Sequence, residues 1–444
     1  MSKIGFISLG CAKNQVDCER MMYRVQEAGY EASLNLENSD VVVINTCGFI
    51  DSAKEEAINN ILMTAQLKDR GIVGKILVTG CLSQRYQDQI MEEMPEVDGV
   101  LGTGSYTEIV PTIEKLLGDE KVERFDSIDT PEVETGRVMT TPGHYAYLKI
   151  AEGCNNRCAF CIIPFLRGKY RSRQMDDVLY EARLLADAGV KELIVVAQDT
   201  SRYGTDFPGH KPMLSQLLKE LCKIDGIHWV RVHYLYPEAI TDELIDTIAN
   251  EPKIVKYLDI PMQHINDAIL KRMNRRGDGQ FLKDTFQKLR DRIPGLVLRT
   301  SLITGLPGEG EEEFEELCAY LKEAKLERAG AFPYSPEEGT PAAKMERVDT
   351  EIAEQRAEMV EIIQSRVMDE YNEKRMGTVM EVLVDGYDEE AEQYYGRTYA
   401  DSPEIDGRVW LACDEPLNEG DFVMVRIDGT VDGDLSGYVM EEEE

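Results

Sequence analysis

Three short apolar segments in the first 81 residues each end in a cysteine. They close with the tetrapeptides SLGC, INTC and VTGC, so the three cysteines are Cys11, Cys47 and Cys81. Their spacings of 36 and 34 residues match one strand–helix–strand unit, and residues 52–67 and 84–94 carry helical apolar spacing. Apolar strands that alternate with helices predict a parallel sheet covered on both faces, here a Rossmann-like domain.

A second strand–helix series follows a charged segment that is rich in Thr and Pro. This segment, residues 118–143, lacks a clear period and predicts an interdomain linker. The strands predicted after it lie at residues 145–150, 192–197, 229–234, 255–259, 297–303 and 329–332. Six such units are fewer than a full α/β barrel has, so they predict an open, partial (β/α)6 barrel.

The C-terminal part changes character after a charged helix predicted at residues 350–375. Gly377 relieves a left-handed position and ends that helix. Short β segments at 379–384, 394–399, 409–412 and 422–427, separated by Gly and Asp, predict a small β-barrel. The predicted class is α/β with domains at 1–130, 140–376 and 377–444, and we expect the last four glutamates to be disordered.

The charge of the chain is strongly negative and unevenly spread. The net charge is −34, and residues 378–444 hold twenty acidic residues against three arginines. Such a surface disfavours general phosphate binding and suits a basic partner. No apolar run approaches the roughly 18 residues of a membrane span, and the N-terminus lacks a cleavable leader pattern. We therefore expect a cytoplasmic protein that does not associate with a membrane.

A second group of cysteines, Cys154, Cys158 and Cys161, lies in the segment EGCNNRCAFCIIP. Three thiolates at this spacing can wrap one face of an iron–sulfur cluster and leave one iron without a protein ligand, whereas a structural cluster normally uses four cysteines. A zinc site is the alternative, but it requires a fourth ligand nearby. The open iron predicts that a substrate or cofactor binds there.

Cys11, Cys47 and Cys81 follow three strands of one predicted parallel sheet, so their thiols should meet at its carboxyl edge. Gly10, adjacent to the first of them, allows close backbone approach. The alternative is that all three pack as small hydrophobic residues. Equivalent positions after three strands favour a second cluster. The remaining cysteines, Cys18, Cys222, Cys318 and Cys413, stand singly, and we expect them to be inert or to pack in the core.

The pattern CxxxCxxC, with Phe160 before its last cysteine, resembles the radical S-adenosylmethionine (SAM) superfamily. Both triads followed by a TRAM-like barrel resemble its methylthiotransferase family over nearly the whole chain. The motifs LGCAKNQVDCE, NTCGFI, RGKYRSR, AQDTSRYG, HYLYP, YLDIPMQH and PYSPEEGTPAA are similar to the branch that methylthiolates the β-carbon of an aspartate in small-subunit ribosomal protein number twelve. Cys18 departs from that pattern, where Ser is expected, and adds a spare thiol.

This resemblance implies two [4Fe–4S] clusters and SAM as cofactors. The cluster on Cys154, Cys158 and Cys161 would reduce SAM to a 5′-deoxyadenosyl radical, which abstracts hydrogen from the substrate aspartate. The cluster on Cys11, Cys47 and Cys81 would carry the sulfur, methylated by a second SAM. No catalytic residue is predicted beyond these six ligands.

Residues that follow the central strands are predicted to contact SAM. Besides Phe160, they are Gln198, Asp199, Gln263, His264, Thr304, Gly305 and Glu309. For the segment GLPGE an ordinary turn before the next helix is an equal alternative, and a histidine at a strand end can simply bond a backbone carbonyl.

Two other functions remain open at this point. A transfer RNA adenosine methylthiotransferase of the MiaB type would share both clusters, but it should present a basic path to phosphates. The second alternative is a non-enzymatic iron–sulfur carrier. The acidic C-terminal part, including Asp385, Glu389 and Glu390, favours a basic ribosomal protein over nucleic acid. The expected reductant is a donor such as flavodoxin or ferredoxin.

Overall fold

The computed structural model of the chain describes residues 1–131 and 133–440. Two six-stranded sheets and one closed five-stranded barrel follow each other along the chain. This architecture confirms the predicted α/β class, with an N-terminal parallel sheet, a central parallel sheet and a C-terminal β-barrel. The expected disorder of the four terminal glutamates falls outside the described residues.

The N-terminal sheet is wholly parallel, with the strand order β2-β1-β3-β4-β5-β6. All residues of its third strand are buried, as expected when helices cover both faces. The elements are β1 (Lys3–Ser8), α1 (Ala12–Glu27), β2 (Glu31–Ser33), β3 (Val41–Thr46), α2 (Asp51–Asp69), β4 (Lys75–Gly80), α3 (Cys81–Tyr86), α4 (Gln89–Glu93), β5 (Gly99–Leu101), α5 (Ile109–Leu117) and β6 (Val122–Arg124).

Two local features of this sheet differ from the prediction. The predicted linker contains β6, because Val122 is buried and this short segment pairs with β5 at the sheet edge. The helix predicted at 84–94 is divided into α3 and α4, because Gln87 between them has a positive φ of 43°. A positive φ interrupts right-handed helical geometry.

The central sheet is also parallel and has the order β14-β13-β12-β11-β10-β7. Its first and last strands occupy opposite edges, so the predicted (β/α)6 barrel is open. The elements are β7 (Tyr145–Lys149), β8 (Ala151–Glu152), α6 (Ile163–Arg167), β9 (Arg171–Ser172), α7 (Met175–Asp187), β10 (Glu192–Val196), α8 (Leu214–Cys222), β11 (Trp229–Val232), α9 (Asp242–Asn250), β12 (Ile254–Asp259), α10 (Asp267–Arg272), α11 (Gly279–Arg292), β13 (Val297–Thr304), α12 (Glu311–Ala324) and β14 (Arg328–Pro333).

The two faces of the central sheet differ in chemistry. One face packs against the helices through a large apolar cluster that includes Leu193 and Val195. The other face carries fully buried polar side chains, among them Lys149, Glu192 and Arg231. Buried charges are costly unless they are paired. Lys149 pairs with Asp17 of α1, and Glu192 pairs with Arg231 of the same sheet and with Arg397 of the C-terminal part. The N-terminal and C-terminal parts therefore both cover this inner face.

A long helix, α13 (Thr350–Glu373), packs along β14 and leads into the closed barrel, whose strand order is β15-β16-β17-β19-β18. Its strands are β15 (Val379–Asp388), β16 (Gln393–Arg397), β17 (Val409–Ala412), β18 (Phe422–Val431) and β19 (Asp434–Val439). The last strand is absent from the prediction. It closes the barrel by pairing in parallel with β17, a long-range contact that local sequence does not specify.

Throughout residues 1–131 and 133–440, every helix is too short or too polar to cross a lipid bilayer.

Candidate active site: two cysteine triads

Cys154, Cys158 and Cys161 lie on the loop between β8 and α6. Gly153 turns the chain into this loop with a φ of 80°. The Cys154 amide donates a hydrogen bond to the Gly168 carbonyl at 3.1 Å, and the Cys161 amide donates to the Cys158 carbonyl at 3.0 Å. The tight turn therefore holds the three thiols on one short loop, as the sequence predicts.

Part of the surroundings of this loop is apolar. Phe160 is buried with Met273 and Leu306 in a cluster that also contains Cys158. Burial raises the pKa of the Cys154 thiol to about 11, and burial also raises the pKa of Cys161. Cluster ligands bind as thiolates. Bound iron would therefore stabilise the negative charge that burial of these thiols otherwise disfavours.

Two side chains that the sequence analysis missed contact Cys158. An Nη1 of Arg275 donates to its sulfur at 3.6 Å, and the Tyr236 hydroxyl lies 3.9 Å away. The Arg275 guanidinium also stacks 4.7 Å from the Tyr236 ring centroid. Tyr236 belongs to the motif HYLYP, but nothing in its local sequence indicates which cysteine it meets.

Gln198 and Asp199 extend from the end of β10 to both sides of Cys154. The Gln198 side-chain amide donates to Glu152, two residues before this cysteine. Asp199 accepts a hydrogen bond from the Asn156 side chain at 2.8 Å, two residues after it. The structure thus brings these two predicted SAM contacts against the cysteine loop.

The other predicted SAM contacts interact largely with each other and with α13. Glu309 accepts hydrogen bonds from the Gly305 amide at 2.9 Å and from Arg356 at 2.8 Å, and its second oxygen lies 3.3 Å from His264. Thr304 donates to the Ala353 carbonyl at 2.8 Å. These bonds connect the segment GLPGE to His264 and to α13.

Gln263 has a φ of 71°, and its amide and carbonyl both bond strand β13, through Ser301 and Ile303. Its backbone therefore links the segment after β12 to the neighbouring strand. The contact of SAM with all eight predicted residues, Phe160, Gln198, Asp199, Gln263, His264, Thr304, Gly305 and Glu309, stays a prediction.

Cys11, Cys47 and Cys81 meet at the carboxyl edge of the N-terminal sheet. Cys11 precedes α1, Cys47 follows β3, and Cys81 begins α3. A Cβ on Gly10 would lie 2.7 Å from the Cβ and 3.1 Å from the sulfur of Cys47, so the first two loops touch. Cys11 is exposed, Cys47 is half-buried and Cys81 is buried. The triad therefore opens toward one side.

Backbone packing behind this triad depends on glycine. A Cβ on Gly48 would approach the Leu82 nitrogen to 2.7 Å, and one on Gly80 would approach the Thr46 carbonyl oxygen to 2.3 Å. Contacts this short exclude any larger side chain. The glycines adjacent to the cysteines are therefore required by the approach of the three loops.

Arg167 joins the two triads. Its Nε donates to the Cys81 sulfur at 3.3 Å, and one Nη1 bonds both Asp17 of α1 and Glu152. Glu152 lies two residues before Cys154 and also accepts from Lys149 at 3.0 Å. This buried ionic network therefore reaches from the N-terminal sheet to the loop of the first triad.

The motif RGKYRSR contains a second buried arginine. Arg173 bonds Glu134 at 2.8 Å and Glu181 at 2.7 Å. This motif holds four basic residues within seven positions. The structure pairs two of them, Arg167 and Arg173, with carboxylates of the chain itself.

The thiol of Cys18 is fully buried in the N-terminal core beside Phe6 and Met21. Burial raises its pKa to about 12, which keeps the thiol protonated. Within residues 1–131 and 133–440, no three His, Cys, Asp or Glu side chains converge tightly enough to hold a single metal ion.

Both triads suit a cluster in donor chemistry. Each offers three thiols and no fourth cysteine from its loops, and the first is lined by apolar side chains that exclude water. Residues 148–321 match the model of the radical SAM superfamily, residues 3–102 match the uncharacterized protein family UPF0004, and residues 376–440 match the TRAM domain. Fold and site thus define a radical SAM enzyme, a class that uses a [4Fe–4S] cluster and SAM.

The similar proteins of known name cover almost the whole chain. The ribosomal protein uS12 methylthiotransferases RimO of Lachnoclostridium phytofermentans and of Caldanaerobacter subterraneus are each 47% identical, over 98% of this chain and 99% and 100% of theirs. The counterpart from Clostridioides difficile is 44% identical over the full length of both chains. The chain belongs to the RimO methylthiotransferase family.

Solved structures share the fold at low identity. The radical SAM methyltransferase TsrM from Kitasatospora setae aligns with a TM-score of 0.57 at 13% identity, over 76% of this chain and 77% of that one. The cobalamin-dependent SAM radical enzyme OxsB aligns with a TM-score of 0.51 at 14% identity, over 82% of this chain and 56% of that one. These likenesses concern the fold alone.

Proposed function

We propose that the chain binds a [4Fe–4S] cluster on each cysteine triad and adds a methylthio group to the β-carbon of an aspartate in ribosomal protein uS12. The observation that carries the proposal is the buried network of Arg167, Asp17 and Glu152, which contacts Cys81 and adjoins the loop of Cys154. Two separate three-thiol sites joined by one polar network suit a reaction that needs both.

The chain itself supplies position and exclusion of water. When bound, the cofactors supply one-electron reduction and hydrogen abstraction at an unactivated carbon, which amino acid side chains cannot perform. Phe160 and Leu306 shield the first triad, while Gln198 and Asp199 lie against its loop. Contact with SAM is proposed for the predicted set of Phe160, Gln198, Asp199, Gln263, His264, Thr304, Gly305 and Glu309, of which Gln198 and Asp199 lie against the loop of the first triad.

The acidic surface of the C-terminal barrel favours a protein substrate over transfer RNA. Exposed acidic residues include Glu389, Glu390, Asp414 and Glu415. A basic ribosomal protein complements this charge, whereas a phosphate backbone is repelled. Asp385 does not belong to this surface: its side chain is largely buried and bonds both His144 and Arg397, so its predicted place among the exposed acidic residues is wrong.

A small electron carrier such as flavodoxin or ferredoxin is the proposed reductant. Arg157 and the segment of Lys271 and Arg276 are exposed beside the loop of the first triad, and Asn274 donates to the Arg157 carbonyl at 2.8 Å. This basic surface on a strongly acidic protein suits an acidic donor near the cluster.

Iron content and SAM cleavage test the two-cluster proposal. Replacing Cys154, Cys158 and Cys161 by Ala should leave iron for one cluster and abolish reductive SAM cleavage. Cys47→Ala should retain SAM cleavage but lose methylthio transfer to uS12. The matched control is Cys318→Ala, a buried cysteine outside both triads, which should keep all three properties.

Three results would contradict the proposal. A chain without iron after removal of the first triad would contradict a second cluster. Methylthiolation of transfer RNA in place of uS12, detected by mass spectrometry, would favour the MiaB-type alternative. A purified reconstituted chain that never cleaves SAM would favour an iron–sulfur carrier.

A further inference from the structure

Arg167 is an arginine at the end of α6 with an unusual partner. Its side chain is only 3% exposed, and its Nε donates to the Cys81 sulfur at 3.3 Å. Cys81 belongs to the N-terminal sheet, whereas Arg167 follows Cys161 of the central part by six residues. One guanidinium therefore bonds a thiol of one triad from the helix that follows the other.

The rest of the guanidinium is also bound. Its Nη2 donates to the Asn14 side chain at 2.8 Å, and Nη1 bonds Asp17 and Glu152. Asn14 and Asp17 lie on α1, the helix that begins after Cys11. The planar guanidinium thus bonds three parts of the chain at once: Cys81, the helix after Cys11, and the strand that leads to Cys154.

We propose that Arg167 is a positioning residue that holds the second triad against the first and sets the reduction potential of the cluster on Cys11, Cys47 and Cys81. The inference rests on the second cluster of the proposed function. Hydrogen bonds to cluster sulfurs make reduction easier, because they stabilise the added negative charge. Lysine carries the same charge but cannot reproduce the fork geometry.

The test isolates the second cluster in the full-length chain in which Cys154, Cys158 and Cys161 are Ala. In this background Arg167→Lys is compared with Arg173→Lys. Arg173 is a matched control, because its side chain is also 3% exposed and it is bound by Glu134 and Glu181 rather than by a cysteine. The readouts are iron content, the midpoint potential and the electron paramagnetic resonance spectrum of the reduced cluster.

Arg167→Lys should keep the iron, lower the midpoint potential and alter the spectrum, while Arg173→Lys should leave both unchanged. In chains with both triads intact, Arg167→Lys should also change the dipolar coupling between the two reduced clusters. Asp17→Asn removes a negative charge beside the same network, so it should shift the potential in the opposite direction even where the lysine variant folds poorly.

The outcomes separate the two ideas. Absence of iron from the background chain itself overturns the second cluster and the proposed function. Iron that is present with a potential unmoved by both Arg167→Lys and Asp17→Asn overturns the role of Arg167 alone. Equal shifts in the Arg167 and Arg173 variants would also overturn it, because they would indicate a general effect of buried charge.

Discussion

Gly10 is a single residue on which the second triad depends. Its φ is 88°, and an added Cβ would lie 2.7 Å from the Cβ of Cys47. Gly29, at the end of α1, has a similar φ of 86° but open space around the added atom. Alanine would therefore strain the backbone at both positions, but only at Gly10 would its Cβ also collide with a cysteine.

We expect Gly10→Ala to lose about half of the bound iron in a chain with two [4Fe–4S] clusters, because the displaced Cys47 no longer aligns with the other thiols. Gly29→Ala should keep the iron. Both should lose about 1–2 kcal/mol of unfolding free energy from the left-handed backbone. Iron analysis with thermal unfolding measures both effects, and equal iron in the two variants would contradict the geometric role of Gly10.

At the scale of elements, the C-terminal barrel is fastened to the inner face of the central sheet by buried polar pairs. Arg397 of β16 bonds Glu192 of β10 at 2.8 Å, and Arg328 of β14 bonds Asp401 at 2.6 Å. The His233 ring, after β11, lies 3.1 Å from the Ser402 hydroxyl. The barrel is thus part of one packed unit with the central sheet.

His233 makes this contact sensitive to pH. Burial, together with the nearby charges of Arg231, Arg299 and Lys13, holds the pKa of His233 well below its usual value of 6.5. Below pH 6.5, His233 therefore binds a proton in the unfolded chain but stays neutral in the folded chain. The stabilising contribution of neutral His233 is complete above pH 6.5 and is lost as the pH falls below it.

We expect the unfolding free energy of the protein to fall by about 1.4 kcal/mol per pH unit below the usual histidine pKa because of this one group. His233→Gln should remove that part of the slope, although it also lowers stability at neutral pH. Anaerobic chemical denaturation from pH 7.5 to 5.5 measures the difference between the two proteins. Parallel curves would show that His233 does not carry the effect.

At the scale of the whole molecule, charge decides which partner can approach. Half of the net charge of −34 lies in residues 378–444. The hairpin between β15 and β16 exposes Glu389 and Glu390. Steering by such charges acts on the rate of encounter and weakens with salt, since the screening length is about 10 Å at 0.1 M ionic strength.

Glu389→Lys combined with Glu390→Lys should slow association of the full-length protein with uS12 several-fold at low salt and leave SAM cleavage unchanged. The effect should fade at high salt. The matched control reverses Glu358 and Glu361, two exposed residues of α13, and should slow association less. Association rates at two salt concentrations decide the matter. Equal slowing by both pairs would assign capture to overall charge rather than to the barrel.

Much of this protein could be predicted from local sequence. Apolar strands alternating with helices indicate both parallel sheets, because periodicity reflects burial directly. The six cysteines of the proposed clusters were found because their spacing repeats with the strands or follows a short motif. The closing strand β19 was missed, since its sequence DLSGYV has only two buried positions and its partner is distant in the chain.

The class of fold, the two cysteine triads and the family could be read from the sequence, because each depends on short-range patterns. Which charged groups meet depends on how distant elements pack. Arg167 reaches Cys81 across 86 residues, Arg275 reaches Cys158 across 117, and Asp385 turns inward to His144. Such contacts form when separate elements pack, and the pairing energy of a buried charge depends on neighbours that no local pattern specifies.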